Sequence, residues 1–143
     1  GGLVSNLLTN VQGSSAFFLG GIVSYSNKVK ENLLNVPEKL INEFGVISAE
    51  VAKAMASGAR ERIQADIGLA ITGIAGPTGV DGNVDRERPV GLVYVATAIN
   101  DELECKEYSF FGSRIDIKRR AANAALNTLR LALAGKVTKQ RKH

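Results

Sequence analysis

Tyr25 and Lys30 are the first pair whose types and spacing could do chemistry. Tyr25 closes the run that begins at Ala16, and Lys30 lies about one turn into the helix expected to follow. Both can then face one point. A lysine partly desolvated beside a phenol loses its proton nearer neutral pH and can act as a general base. Lys28 competes for the same role, and a surface lysine near a half-buried tyrosine gives the same spacing. Arg114 is the second candidate. It falls in the first turn of the last expected helix, where a cation opposes the macrodipole. An anion at that place reverses the balance, since arginine and helix-start amides both bind phosphate or carboxylate. An exposed arginine is the plain alternative.

Two glycine-rich stretches could bring backbone to a ligand. Ile71-Thr72-Gly73-Ile74-Ala75-Gly76-Pro77 ends the apolar run from Ile67. It reads as a buried strand opening into a loop, with the Thr72 hydroxyl at the tip where α/β sheets bind ligands. Neither a Walker A loop nor a dinucleotide fingerprint is present. Gly1 and Gly2 stand before a helix and would offer free N–H groups to an oxyanion or phosphate. Cys105 reads as an inert strand residue. Asp81, Asp85 and Glu87 lack a calcium-loop pattern and read as a solvated loop, so no metal is expected.

The elements that must position these groups follow from periodicity and punctuation. Apolar residues at 3, 4, 7, 8 and 11 predict a helix that begins almost at the first residue. A strand is expected over Ala16–Tyr25, with Gly20-Gly21 as a bulge or close approach. Ser26-Asn27 starts a short helix, Pro37 another that Gly45 closes, and Ser48 caps a third running to about Ile63. The strand Ile67–Ile74 follows, then a long loop over 75–89 that is rich in glycine and charge. Val90–Ile99 and Leu103–Phe110 predict a hairpin. Ser113, with Asp116 three residues on, caps an alanine-rich helix expected to end at Gly135. This is an α/β pattern: one domain over 1–135, a mixed β-sheet flanked by helices in three layers. The basic segment 136–143 reads as a solvated tail.

Composition narrows the chemistry. The chain has 143 residues and a net charge of +4, enough for one core. One cysteine and one histidine, His143 at the end, exclude an internal disulfide and disfavour zinc. Catalysis must then rest on hydroxyls, amines, guanidinium groups or carboxylates. No apolar run reaches the ~18 residues of a membrane span. A cytoplasmic protein without membrane or nucleic-acid partners is expected, working as a homo-oligomer.

Six segments in order carry a specific resemblance: Gly13-Ser14-Ser15-x-x-Phe18, Gly21-x-Val23-x-Tyr25-Ser26-Asn27-x-x-Lys30, Val46-x-Ser48-x-Glu50-Val51, Thr72-Gly73-Ile74-Ala75-Gly76-Pro77, Pro89-Val90-Gly91-x-Val93 and Phe111-Gly112-Ser113-Arg114. They resemble the CinA C-terminal domain family, which includes the nicotinamide mononucleotide deamidases. The resemblance implies hydrolysis of the carboxamide of nicotinamide mononucleotide to nicotinate mononucleotide and ammonia, with no cofactor. It implies a serine nucleophile in a Ser-Cys-Thr-Gly-Gly segment, assisted by a lysine and a tyrosine that fall on Lys30 and Tyr25; Lys28 takes a variable place. The family threonine and arginine fall on Thr72 and Arg114, and Asn27, Gly73, Ala75 and Gly76 are implied at the substrate. Gly1-Gly2 would be the last two residues of the serine segment, so the nucleophile is expected upstream of Gly1. The alternative is a nucleotide-binding module that does not turn over.

Overall fold

In the computed structural model, residues 1–78 and 88–140 are described, with side chains through residue 135. The acidic positions Asp81, Asp85 and Glu87 lie outside the described residues, as does most of the 75–89 loop. The described elements are α1 (Leu3–Thr9), a 3-10 turn (Ser14–Ala16), α2 (Asn27–Leu34), α3 (Glu38–Phe44), α4 (Ala49–Ile63), β1 (Ile67–Gly73), β2 (Leu92–Ile99), β3 (Glu102–Ser109) and α5 (Arg114–Gln140).

The three strands form one sheet in the order β1-β2-β3, with both ladders antiparallel. Alternation along the strands separates two packed faces. On one side Ala70, Ala96 and Ala98 meet Val51, Ala52, Met55 and Ala56 of α4, with Leu34 and Ile41 from α2 and α3. On the other side Val93 and Val95, flanked by Leu69 and Ile71, meet Ile117, Ala121 and Ala125 of α5 and Val4 of α1. Small side chains on both partners bring helix and sheet backbones close. Tyr108 Oη and Thr128 Oγ1, 2.8 Å apart, close the α5 side. Across the hairpin Tyr94 donates to the Glu107 carboxylate at 2.8 Å. Burial, and then this bond, push the Tyr94 phenol up to about 12. The α/β class with helices on both faces of the sheet holds.

The helix starts follow local chemistry. Ser26 and Ser48 accept from the N–H groups of Val29 and Val51, each at 3.3 Å. The Asp116 carboxylate accepts from Ser113 N–H at 3.0 Å and Ser113 Oγ at 2.6 Å, the short-armed box expected there. Pro37 stands at the N-cap of α3 rather than inside its first turn.

Two expectations are corrected. Residues 16–25 form no strand: Ser14–Ala16 is a 3-10 turn, and the rest joins no ladder among the described residues. The period-two pattern is still there, with Phe17, Leu19, Val23 and Tyr25 exposed and Phe18, Ile22 and Ser24 half-buried. Alternation reports an extended chain lying on a core; only a hydrogen-bonding neighbour makes it a strand. The mixed sheet expected from alternating helices and strands is all-antiparallel among the described residues. The second correction is the end of α5, which passes through Gly135 to Gln140. A mid-helix glycine costs only about 1 kcal/mol against alanine, and the lysines and glutamine that follow are good helix formers.

Candidate functional site

The helical phase of α2 decides between the two lysines. Lys30 and Leu34, four residues apart, are the buried residues of this helix, while Lys28 is exposed. Lys30 is 6% exposed, and its Nζ donates to Ser24 O at 2.7 Å and to Tyr25 O at 3.4 Å. Desolvation holds its ammonium below the ordinary lysine value. Two carbonyls take two N–H bonds, so the neutral amine keeps its lone pair for another group. Such an amine can act as a general base toward a hydroxyl brought within hydrogen-bond reach.

Tyr25 does not meet Lys30 through its phenol. Tyr25 is 76% exposed and its hydroxyl accepts from Arg114 Nη2 at 2.9 Å. Arg114, the first residue of α5, also donates from Nη1 to Gly76 O at 2.8 Å. One guanidinium thus joins three segments far apart in sequence. The Gly-rich loop reaches this point because it is pinned to β2. Ile74 N–H donates to Leu92 O at 2.9 Å, and Gly91 N–H donates to Ile74 O at 2.7 Å. Gly76 then turns the chain with φ 82°.

Gly2 is the N-cap of α1 with φ 84°, and Gly1 faces the ammonium of Lys118. A side-chain carbon on Gly1 would stand 3.5 Å from Lys118 Nζ. Tyr25, Gly76 and Arg114 are therefore in direct contact, with Gly1 beside Lys118 on the same helix. Ala75 packs half-buried toward α5. Gly73 lies where a Cβ would meet Val93 Cγ2 at 2.8 Å and Leu92 O at 2.9 Å.

Thr72 and Asn27 are placed differently. Thr72 is 5% exposed and donates its hydroxyl to Val46 O at 2.9 Å. Asn27 opens onto a cavity of about 370 Å³ shared with Asn42, Glu43, Val46 and Arg88. Arg88 donates to Phe44 O at 2.8 Å along its rim. A second cavity, about 250 Å³ between β3 and α5, is lined by Glu104, Lys106 and Thr128 and contains none of the expected site residues. Lys118 and Arg88 were missed by sequence reasoning. Lys118 carried one usable signal, its position four residues after Arg114 on one helix face. Among the described residues, no group of three His, Cys, Asp or Glu side chains could hold a metal. No described helix is long and apolar enough to cross a membrane.

The description "CinA C-terminal domain" matches residues 1–133, a span that includes every element from α1 into α5. The chain belongs to this family. CinA-like proteins of Geotalea daltonii and Geobacter sulfurreducens are 47% and 48% identical to it over 133 residues. Each match covers 93% of this chain and 31% of the relative, so the chain spans about a third of the length of these curated relatives. A competence/damage-inducible protein of Agrobacterium tumefaciens has a solved structure that superposes with a TM-score of 0.86 at 37% identity. That superposition covers 94% of this chain and 79% of the other. A second, from Klebsiella pneumoniae, superposes with a TM-score of 0.86 at 30% identity over 94% of this chain and 81% of that one.

Proposed function

We propose that this CinA domain belongs to a cytoplasmic amidase that hydrolyses the carboxamide of nicotinamide mononucleotide. The observation that carries the reading is Lys30: a buried amine, held by two carbonyls, with its charged form disfavoured. Such a group removes a proton from a hydroxyl without a histidine or a metal. In this reading the nucleophile is the family's serine, upstream of Gly1. Lys30 takes its proton as the hydroxyl oxygen bonds to the carboxamide carbon. The same proton then goes to the departing nitrogen, which leaves as ammonia. Water, deprotonated in turn, cleaves the acyl-serine to the carboxylate and restores the hydroxyl. Tyr25, oriented by Arg114, and the amides around Gly1 and Gly2 face the developing oxyanion.

The test is ammonia release from nicotinamide mononucleotide by this chain and by the chain extended upstream of Gly1. Release by the extended form alone is expected. Silence from both, with the mononucleotide still bound, would instead support a binding module, the reading that the cations around Gly1 favour.

A further inference from the structure

Three cations converge on Gly1 and no carboxylate among the described residues opposes them there. Lys118, Arg114 and Lys30 are the charged neighbours of Gly1, in that order of strength. Asp116, on the same turn of α5, directs its carboxylate onto Ser113 instead. The three cations are not equivalent. Lys30 is bound to the carbonyls of Ser24 and Tyr25. Arg114 commits Nη1 to Gly76 O and Nη2 to Tyr25 Oη, so its fork is already occupied. Lys118 is exposed, makes no hydrogen bond or ion pair among the described residues, and places Nζ beside Gly1. A free ammonium beside the committed Arg114 guanidinium and the buried Lys30 amine is a position for a dianion. Three donors on a compact point charge suit a phosphate oxygen that can approach from solvent.

We infer that Lys118 binds the phosphate of the mononucleotide and sets the preference for phosphorylated over unphosphorylated substrate, while Arg114 is a positioning residue that holds Tyr25 and the Gly76 turn. The identity of the mononucleotide rests on the proposed function; the dianion site does not. The phosphate role expected of Arg114 thus passes to its neighbour one turn along. Loss of Arg114 accordingly weakens riboside and mononucleotide alike, because it frees the tyrosine that both would meet.

Calorimetric titration of this chain with nicotinamide mononucleotide, nicotinamide riboside and inorganic phosphate tests the assignment. Lys118→Gln is expected to weaken the mononucleotide about ten- to a hundredfold, as for loss of a hydrogen bond to a charged group, and to leave the riboside unchanged. Lys118→Arg is expected to keep most of the affinity. Equal losses on mononucleotide and riboside, or no loss on either, overturn the assignment. So does wild-type chain that prefers neither the mononucleotide nor phosphate over the riboside. A mononucleotide bound through Lys118 but never deamidated leaves the phosphate assignment standing and sinks the amidase alone.

Discussion

In the chain extended upstream of Gly1, Lys30→Ala lowers ammonia release from nicotinamide mononucleotide by about 10²–10⁴-fold, the usual scale for loss of a positioned general base. The fall is in kcat, with KM changed far less, because Lys30 lies under the 24–25 backbone and its charge is not the free one. Lys30→Met, which keeps the length of the buried stem, is expected to be equally inactive. Unchanged turnover in either variant would remove Lys30 from the mechanism. The pH dependence carries the same signature. Since only the neutral amine accepts a proton, the rate rises with pH through a lysine value below the ordinary 10.5. Stability moves in the same direction. A lysine whose folded value is depressed binds fewer protons folded than unfolded between the lowered value and 10.5, so the native state gains stability as pH rises across that window. Its contribution is fully present above 10.5 and is lost as pH falls through the lowered value. Denaturant titrations of Lys30→Met and wild type across the window should therefore diverge, the variant lacking this part of the slope.

Gly58→Ala carries the second large effect, and it falls on the helix that bears Lys30. Gly58 is buried in α4, where α2 ends at Leu34. A Cβ there would overlap the Leu34 carbonyl oxygen and lie 2.6 Å from its carbon and 3.0 Å from its Cα. These are backbone atoms with no rotamer to change, so α2 must shift bodily. A loss of about 1–3 kcal/mol is expected, the range for overpacking a tight core. At this chain length that lowers the melting temperature by roughly 3–12 °C. Gly135→Ala is the opposed control. Nothing stands within 4 Å of a Cβ at that exposed position of α5, so the alanine should stabilise by about 0.5–1 kcal/mol. If Gly58→Ala proves as stable as Gly135→Ala, the close crossing of α2 on α4 is wrong.

The two effects are linked through one geometry. Leu34 and Lys30 share the buried face of α2, so a displacement of Leu34 by Gly58→Ala also moves the amine relative to Ser24 O and Tyr25 O. A stability defect in α4 would then be read partly as a catalytic one. Measuring turnover well below the melting transition separates them.

What was determined by sequence alone is what neighbouring residues settle among themselves. The serine caps at 26 and 48 and the Ser113–Asp116 pair act over three residues. The hairpin from Leu92 to Ser109 has strong β-formers in β2 and a short turn. The ordered motifs from Gly13 to Arg114 also pointed to the family that the chain belongs to. The tertiary structure decided everything that joins distant segments. Arg114 meets Tyr25 across 89 positions and Gly76 across 38; Thr72 reaches Val46 across 26. No local pattern encodes those partners, because each depends on how α5, β1 and α2 pack on one sheet. The choice of Lys30 over Lys28 is of the same kind. Two residues on a helix differ by about 200° in direction, and only the docking of α2 on α4 says which of them is buried. For residues 16–25 the alternation predicts a strand that does not form, because a strand needs a partner, and a partner is a property of the whole fold.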